Sequence, residues 1–280
     1  MRAGPLPTPR RLRYARPMGI KQAIPLPLRT RLKWLGLAAL DVAKPIREPR
    51  VPPRRLTSIG GGDFVAVGED FVRRLIAAGL RPDAVVLDIG CGQGRMARAL
   101  LPVLTQGRYE GFDIDRAAVA WSSTAYADVP RFNFQWLDVF NSRYNAGGAQ
   151  GGVRFPFADN LFDAVMVASV FTHMREALIA NYLAEMARVM EPGGIALVTA
   201  FLRDEAAPAR DQLGFAHRID DHSWTTLPAM PEAAIALRES WFRDQLAHNS
   251  LVIRELERGS CFHPGGASLQ DFLLLEKVSP

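Results

Sequence analysis

The chain has little that would brace it covalently. Among its 280 residues are two cysteines, Cys91 and Cys261, in no CxxC or other metal-ligand spacing. Neither a disulfide framework nor a metal site is therefore indicated, and a reducing, cytoplasmic setting is the expectation. His217 and His222, five apart among aspartates, lack further ligands at a fixed spacing, so no metal is assigned to them. No apolar stretch long enough for a secretory signal follows the first charges. The apolar run Trp34–Leu40 also falls far short of the roughly 20 residues that a membrane span needs.

Acidic residues are nearly absent from one end. Residues 1–55 hold 14 Lys+Arg against 2 Asp+Glu, and residues 56–280 hold 20 against 27. The mildly acidic body lacks the basic stripe that nucleic-acid enzymes carry, so no DNA partner is expected. Six prolines lie among the arginines of residues 1–30, a composition unable to bury a core. Arg31–Ala43 (RLKWLGLAALDVA) reads as a short amphipathic helix, and Pro45–Arg55 as a linker. Two readings of residues 1–43 stay open. One is peripheral contact with an anionic membrane at its inner face, and the other is a helix docked on the protein's own body.

The informative stretch is Val85-Val86-Leu87-Asp88-Ile89-Gly90-Cys91-Gly92-Gln93-Gly94, followed by the helix-forming Arg95–Leu101. An apolar run entering alternate glycines predicts a buried parallel strand, a turn that a ligand can approach closely, and a helix start offering N–H groups. A dinucleotide fingerprint is missing, because the residue three after Gly92 is Arg95 rather than glycine. What stands here is G-x-G-x-G with a carboxylate, Asp88, two residues before it, placed to hold an ammonium group. A second predicted strand ends at Asp113, 19 residues after Gly94, near the spacing that sets a carboxylate on a ribose diol. Two hydroxyl donors need an acceptor with two oxygens. A third strand, with Phe132, Phe134 and Trp136 on one face, ends at Asp138. Three acids at the carboxyl ends of successive strands mark the ligand end of an open α/β sheet.

Asp88-Ile-Gly-Cys-Gly-Gln-Gly94 resembles motif I of the class I S-adenosylmethionine (SAM) dependent methyltransferases. The resemblance implies an α/β, Rossmann-like fold with a seven-stranded, mostly parallel sheet and an antiparallel terminal strand pair. It also implies a cofactor set. Asp88 and the Gly90, Cys91, Gly92 and Gly94 turn would hold the methionine part, Asp113 and Ile114 the ribose, and Asp138 and Val139 the adenine. The segment after strand four, Ser169-Val-Phe-Thr-His-Met174, would line the transferred methyl group from Ser169 onward. His173 is the one histidine expected at that rim, and its usual pKa near 6.5 suits a general base at neutral pH. The turn Ile59–Phe64 would help close the site.

The domain organisation implied is an N-terminal extension over 1–55 and a methyltransferase domain over 56–280, with 204–231 as a substrate lid. Helices are expected over 69–78, 176–190 and 232–246, and strands over 195–200, 251–256 and 270–278. The N-P-P-[YFW] sequence of many DNA and protein amide methylases is absent after strand four, which lowers that chemistry. The expected activity is methyl transfer to a small-molecule, glycan or lipid-linked acceptor, on oxygen. Rival readings are an RNA or protein methyltransferase tethered by the basic arm, and a SAM-binding module that no longer methylates.

Overall fold

A computed structural model describes residues 26–56, 62–204 and 210–279, without the side chains of 26–31 and 33. The proline-rich residues 1–25 and Ile59–Gly61 of the glycine turn lie outside the described residues. The chain runs through α1 (Leu26–Ala43), α2 (Phe64–Ala77), β1 (Val85–Ile89), α3 (Arg95–Leu100), β2 (Arg108–Asp113) and α4 (Arg116–Ala125). It continues with β3 (Phe132–Trp136), β4 (Phe162–Val167), α5 (Glu176–Val189), β5 (Met190–Ala200), β6 (Leu202–Arg203), β7 (His217–Arg218) and β8 (Ser223–Thr225). It ends with β9 (Ile235–Arg238), α6 (Glu239–His248), β10 (Leu251–Glu257) and β11 (Asp271–Lys277).

The main sheet has seven strands in the order β10-β11-β5-β4-β1-β2-β3. All pairings from β5 to β3 are parallel, whereas β11 runs antiparallel to both β5 and β10. This is the Rossmann-like class I fold. Strand alternation sorts the apolar residues between two layers. Leu87, Ile89, Val165, Val167, Ala196 and Val198 face the core shared with α5 and α6. Val86, Ala164, Met166 and Leu197 face the opposite core, with Phe71 and Leu75 of α2 and Met96 and Leu100 of α3.

Local chemistry sets the helix ends that matter for the site. Asp63 caps α2, accepting from Val65 N at 3.0 Å and Ala66 N at 2.8 Å, so the helix begins five residues earlier than expected. It ends as the sequence indicates, with Gly79 at φ +101. Asp115 caps α4 through Ala117 N at 2.9 Å.

Two expectations are corrected. The Glu191-Pro-Gly-Gly194 segment, left between the helix expected over 176–190 and the strand expected over 195–200, does not separate the two, because β5 already starts at Met190. Met190 pairs with Phe162 and Ile195 with Ala164, so the segment is a wide bulge on β5. Residues 232–246 are not one helix. A single 3₁₀ turn, Pro231–Ala233, leads into β9, and only Glu239–His248 is helical. Ile235, Ala236 and Leu237 are buried between β6 and β8, and that pairing overrides local helix preference. In the second sheet, β6-β9-β8-β7, the segment read as a lid supplies the short strands β7 and β8, and β6 and β9 flank it.

Candidate active site

A cavity of about 230 Å³ opens at the carboxyl ends of β1, β2 and β4, beside the start of α3. Its floor is the turn after β1. Gly90, Gly92 and Gly94 have φ of +74, +51 and +70, which side-chain-bearing residues rarely adopt. The turn is fastened to β2, since the N–H groups of Gly90 and Cys91 both donate to Phe112 O, at 2.9 and 3.0 Å. A Cβ on Gly90 would stand 2.4 Å from Val170 Cγ2, whereas one on Gly92 would meet no protein atom within 4 Å. Gly90 is thus spared a side chain by protein packing. The bare Gly92 edge faces the cavity and leaves room for a ligand. Gly90→Ala is expected to lower stability by about 1–3 kcal/mol through overpacking and backbone strain. A urea melt with an unchanged midpoint would contradict that packing.

Two carboxylates stand over this floor. Asp113 is deeply enclosed, and each of its oxygens takes one backbone N–H, Oδ2 from Gly92 at 2.7 Å and Oδ1 from Asp115 at 2.8 Å. Burial raises its pKa, while the Asp115 and Gly92 amides pull it back. Each oxygen keeps a further lone-pair direction, so a vicinal diol can still be accepted bidentately. Asp88 is 2% exposed and accepts the Tyr109 hydroxyl on Oδ2 at 2.7 Å. Burial pushes its pKa up to about 7, against the opposing Tyr109 hydrogen bond and with a smaller contribution from the Asp113 charge. A bare Gly92 edge, a diol acceptor and a buried acid that a cation would ionise fit the parts of SAM.

The third wall follows β4. Ser169 has φ +59, and its N–H donates to Thr199 Oγ1 at 2.8 Å. The 3₁₀ turn Phe171–His173 then places His173 at the cavity, where the ring's Nδ1 lies 2.8 Å from Glu232 O. A carbonyl only accepts, so Nδ1 carries the proton and Nε2 keeps its lone pair. Burial lowers the His173 pKa, against the carbonyls of Glu232 and Ala233 and with the Arg143 charge adding to the fall. The imidazole is therefore neutral at pH 7 and able to take a proton.

The structure brings Asp88, Gly90, Cys91, Gly92, Asp113, Ile114, Ser169 and His173 to one cavity. Gly94 stands just behind it as the N-cap of α3. Asp138 and Val139 are not brought there. The Asp138 carboxylate is drawn away to Asn145 Nδ2 at 3.1 Å, and Val139 is buried in the body. The same loop instead delivers Asn141 and Tyr144 to the cavity wall. Asn141 Nδ2 donates to His173 O at 2.8 Å, and the Tyr144 ring meets His173 edge-on at 5.4 Å. Neither stood out in the sequence, because a loop Asn and Tyr carry no spacing signal. Tyr109 was missed as well, although its place two residues before Gly111 puts it on the face of β2 that meets Asp88.

Cys91 and Cys261 are both free and buried. Among the described residues no three His, Cys, Asp or Glu side chains gather as a metal site. Nor, among them, is any helix long and apolar enough to cross a membrane.

Fold and cavity together have the form of the class I SAM-dependent methyltransferases that the Asp88–Gly94 motif resembles. Residues 87–198 match the family described as "Methyltransferase domain". The chain is 28% identical over 204 residues to the ubiquinone/menaquinone biosynthesis C-methyltransferase of Bordetella avium, covering 70% of this chain and 64% of that one. It is 31% identical over 117 residues to a phthiotriol/phenolphthiotriol dimycocerosates methyltransferase of Mycobacterium ulcerans, covering 41% of this chain and only 36% of that one. The chain thus spans less than two thirds of these curated relatives. A solved SAM-dependent methyltransferase of Methanosarcina mazei superposes with TM-score 0.52 at 18% identity, covering 74% of this chain and 98% of that one, a likeness of fold.

Proposed function

We propose that the protein transfers a methyl group from SAM to a small, largely apolar acceptor that carries an ionisable hydroxyl. The observation that carries this reading is His173, a neutral imidazole held by Glu232 O and set in the same cavity as Asp88 and Asp113. SAM supplies a methyl group already activated on a sulfonium, so alignment of the acceptor is the main demand on the protein. Asp88, Gly90, Cys91 and Gly92 would hold its amino-acid part, and Asp113 with Ile114 the ribose. Asp138 and Val139, standing outside the wall, are left out of this set.

His173 Nε2 would take the hydroxyl proton of the acceptor and leave an oxygen-centred nucleophile. The apolar side chains of Phe64, Val67, Phe71 and Met174 around the cavity favour a lipid-like or aromatic body over a sugar. Carbon is a second reading. An ionised phenol is nucleophilic at its ring carbon as well as its oxygen, and the Bordetella relative is named a C-methyltransferase. The domain division at residue 56 belongs to this proposal too, with 204–231 as a substrate-facing segment.

The test is transfer of a labelled methyl from SAM into a fractionated extract. Label in lipid or small aromatic products supports the reading, and label in RNA or protein contradicts it. With an acceptor in hand, His173→Ala should lower kcat about 10²–10⁴-fold while SAM affinity stays nearly unchanged. Because its folded pKa is lowered, His173 gains its proton only below the ordinary value of 6.5. At saturating SAM the wild-type kcat should therefore be flat near pH 7 and fall on acidification below 6.5. A rate indifferent to His173→Ala would remove the base.

A further inference from the structure

The helix α1 offers an apolar face that no described residue covers. Leu32, Leu35 and Val42 are 52%, 56% and 84% exposed, and they recur with Ala39 at three- and four-residue steps along one side. The half-buried residues, Leu37, Ala38 and Asp41, lie away from this stripe, on a side they share with Trp34, which is itself 49% exposed. A helix apolar on both sides normally has both sides covered.

The attachment to the body is specific and sits on the other side. Asp41 accepts Arg54 N at 2.8 Å, Arg55 N at 3.2 Å and the Arg55 guanidinium at 3.2 Å, clasping the end of α1 to the linker. The linker is in turn fastened to the domain. Arg50 binds both Asp128 oxygens, at 2.9 and 2.7 Å, with its guanidinium 5.3 Å from the Tyr126 ring centre, and Glu48 pairs with Arg98. The clasp holds α1 in place with its Leu32–Leu35–Val42 stripe turned outward.

Charge identifies the partner. Nine Lys or Arg and no Asp or Glu precede Trp34, whereas residues 56–280 are net acidic. The sequence is polarised in charge, with its basic excess immediately preceding the stripe-bearing part of α1. A second copy docking stripe to stripe would bring two such basic segments together, which costs energy. An anionic surface gains from the same arrangement. We propose that α1 is a membrane-docking helix, and that its outer stripe enters the headgroup region of an anionic lipid bilayer. The basic residues before it supply the attraction, and the acidic body is kept facing water. No covalent step is involved, and the proposal stands whether or not the acceptor is a lipid.

The test uses the full chain and vesicles of phosphatidylcholine with or without about 30% phosphatidylglycerol, read by co-sedimentation. At least about tenfold more protein should sediment with the anionic vesicles, and raised salt should reduce that binding. The double variant Leu35→Glu, Val42→Glu should lose most of it while its thermal melt and SAM affinity match the wild type. Absence of vesicle binding overturns the proposal. So does anionic binding that survives the double variant, since the charges alone would then account for it. A concentration-dependent dimer that the variant abolishes would mean that a second copy covers the stripe, and would overturn it equally.

Discussion

Asp113→Ala is expected to weaken SAM binding roughly 10- to 150-fold, about 1.5–3 kcal/mol for two lost charge-assisted hydrogen bonds. The carboxylate is already used by the protein, since Gly92 N and Asp115 N each bond to one of its oxygens. Truncation therefore also releases the turn that carries Gly92, and both amides are left without that acceptor. The variant should melt lower as well as bind worse, so affinity is best measured well below its melting temperature. Asp115→Ala serves as the control. It removes the α4 cap while keeping the Asp115 backbone N–H on the Asp113 carboxylate, and should cost stability of about 1 kcal/mol with little effect on affinity. Unchanged SAM affinity in Asp113→Ala would place the ribose elsewhere.

The second large effect belongs to Asp88, where stability and binding should move in opposite directions. Its folded pKa of about 7 lies above the ordinary value of 3.8, so the folded protein holds a proton there that the unfolded chain has lost. This contribution to stability is fully present below pH 3.8 and is lost as pH rises through about 7. At pH 8 the unliganded protein carries a buried anion opposed by burial itself. Asp88→Asn keeps an acceptor for the Tyr109 hydroxyl and removes the charge, so it should stabilise the unliganded protein at pH 8 by on the order of 2–4 kcal/mol. The same change removes the charge proposed to hold the SAM ammonium and should weaken binding about tenfold or more. Denaturant melts of both proteins at pH 5 and pH 8 check the first part, with the gap between them clearly wider at pH 8 than at pH 5. A gap of the same size at both values would show that Asp88 is ionised throughout.

The legible parts of this protein are those governed by local rules. Alternating glycines after an apolar run led directly to the β1 turn, and the position of Asp113 nineteen residues further on placed it on that turn from β2. Gly79 also ends α2 and Asp115 begins α4 as the missing and the capping side chain suggest, whereas α2 starts at the Asp63 cap, five residues before the expected position. What escaped is decided by contacts between distant residues. Ile235–Arg238 has no local strand signature and pairs because β6 and β8 flank it. Met190 joins the sheet through Phe162 before the Pro-Gly interruption, which only the register of β4 reveals. Asp138 shares the pattern of Asp88 and Asp113, yet Asn145, seven residues on, draws its carboxylate away. Tyr109 sits beneath Asp88 because β1 and β2 are in parallel register with Val86 opposite Tyr109, a fact of pairing and not of spacing.

The central claim is that the cavity after β1, β2 and β4 is a SAM site, and calorimetric titration of the full chain tests it most directly. One SAM should bind per chain, saturably, with the stoichiometry kept but the affinity reduced in Asp113→Ala, and NADH should give no binding. Saturable binding of NADH without SAM, or SAM binding indifferent to both Asp88 and Asp113, would contradict the account.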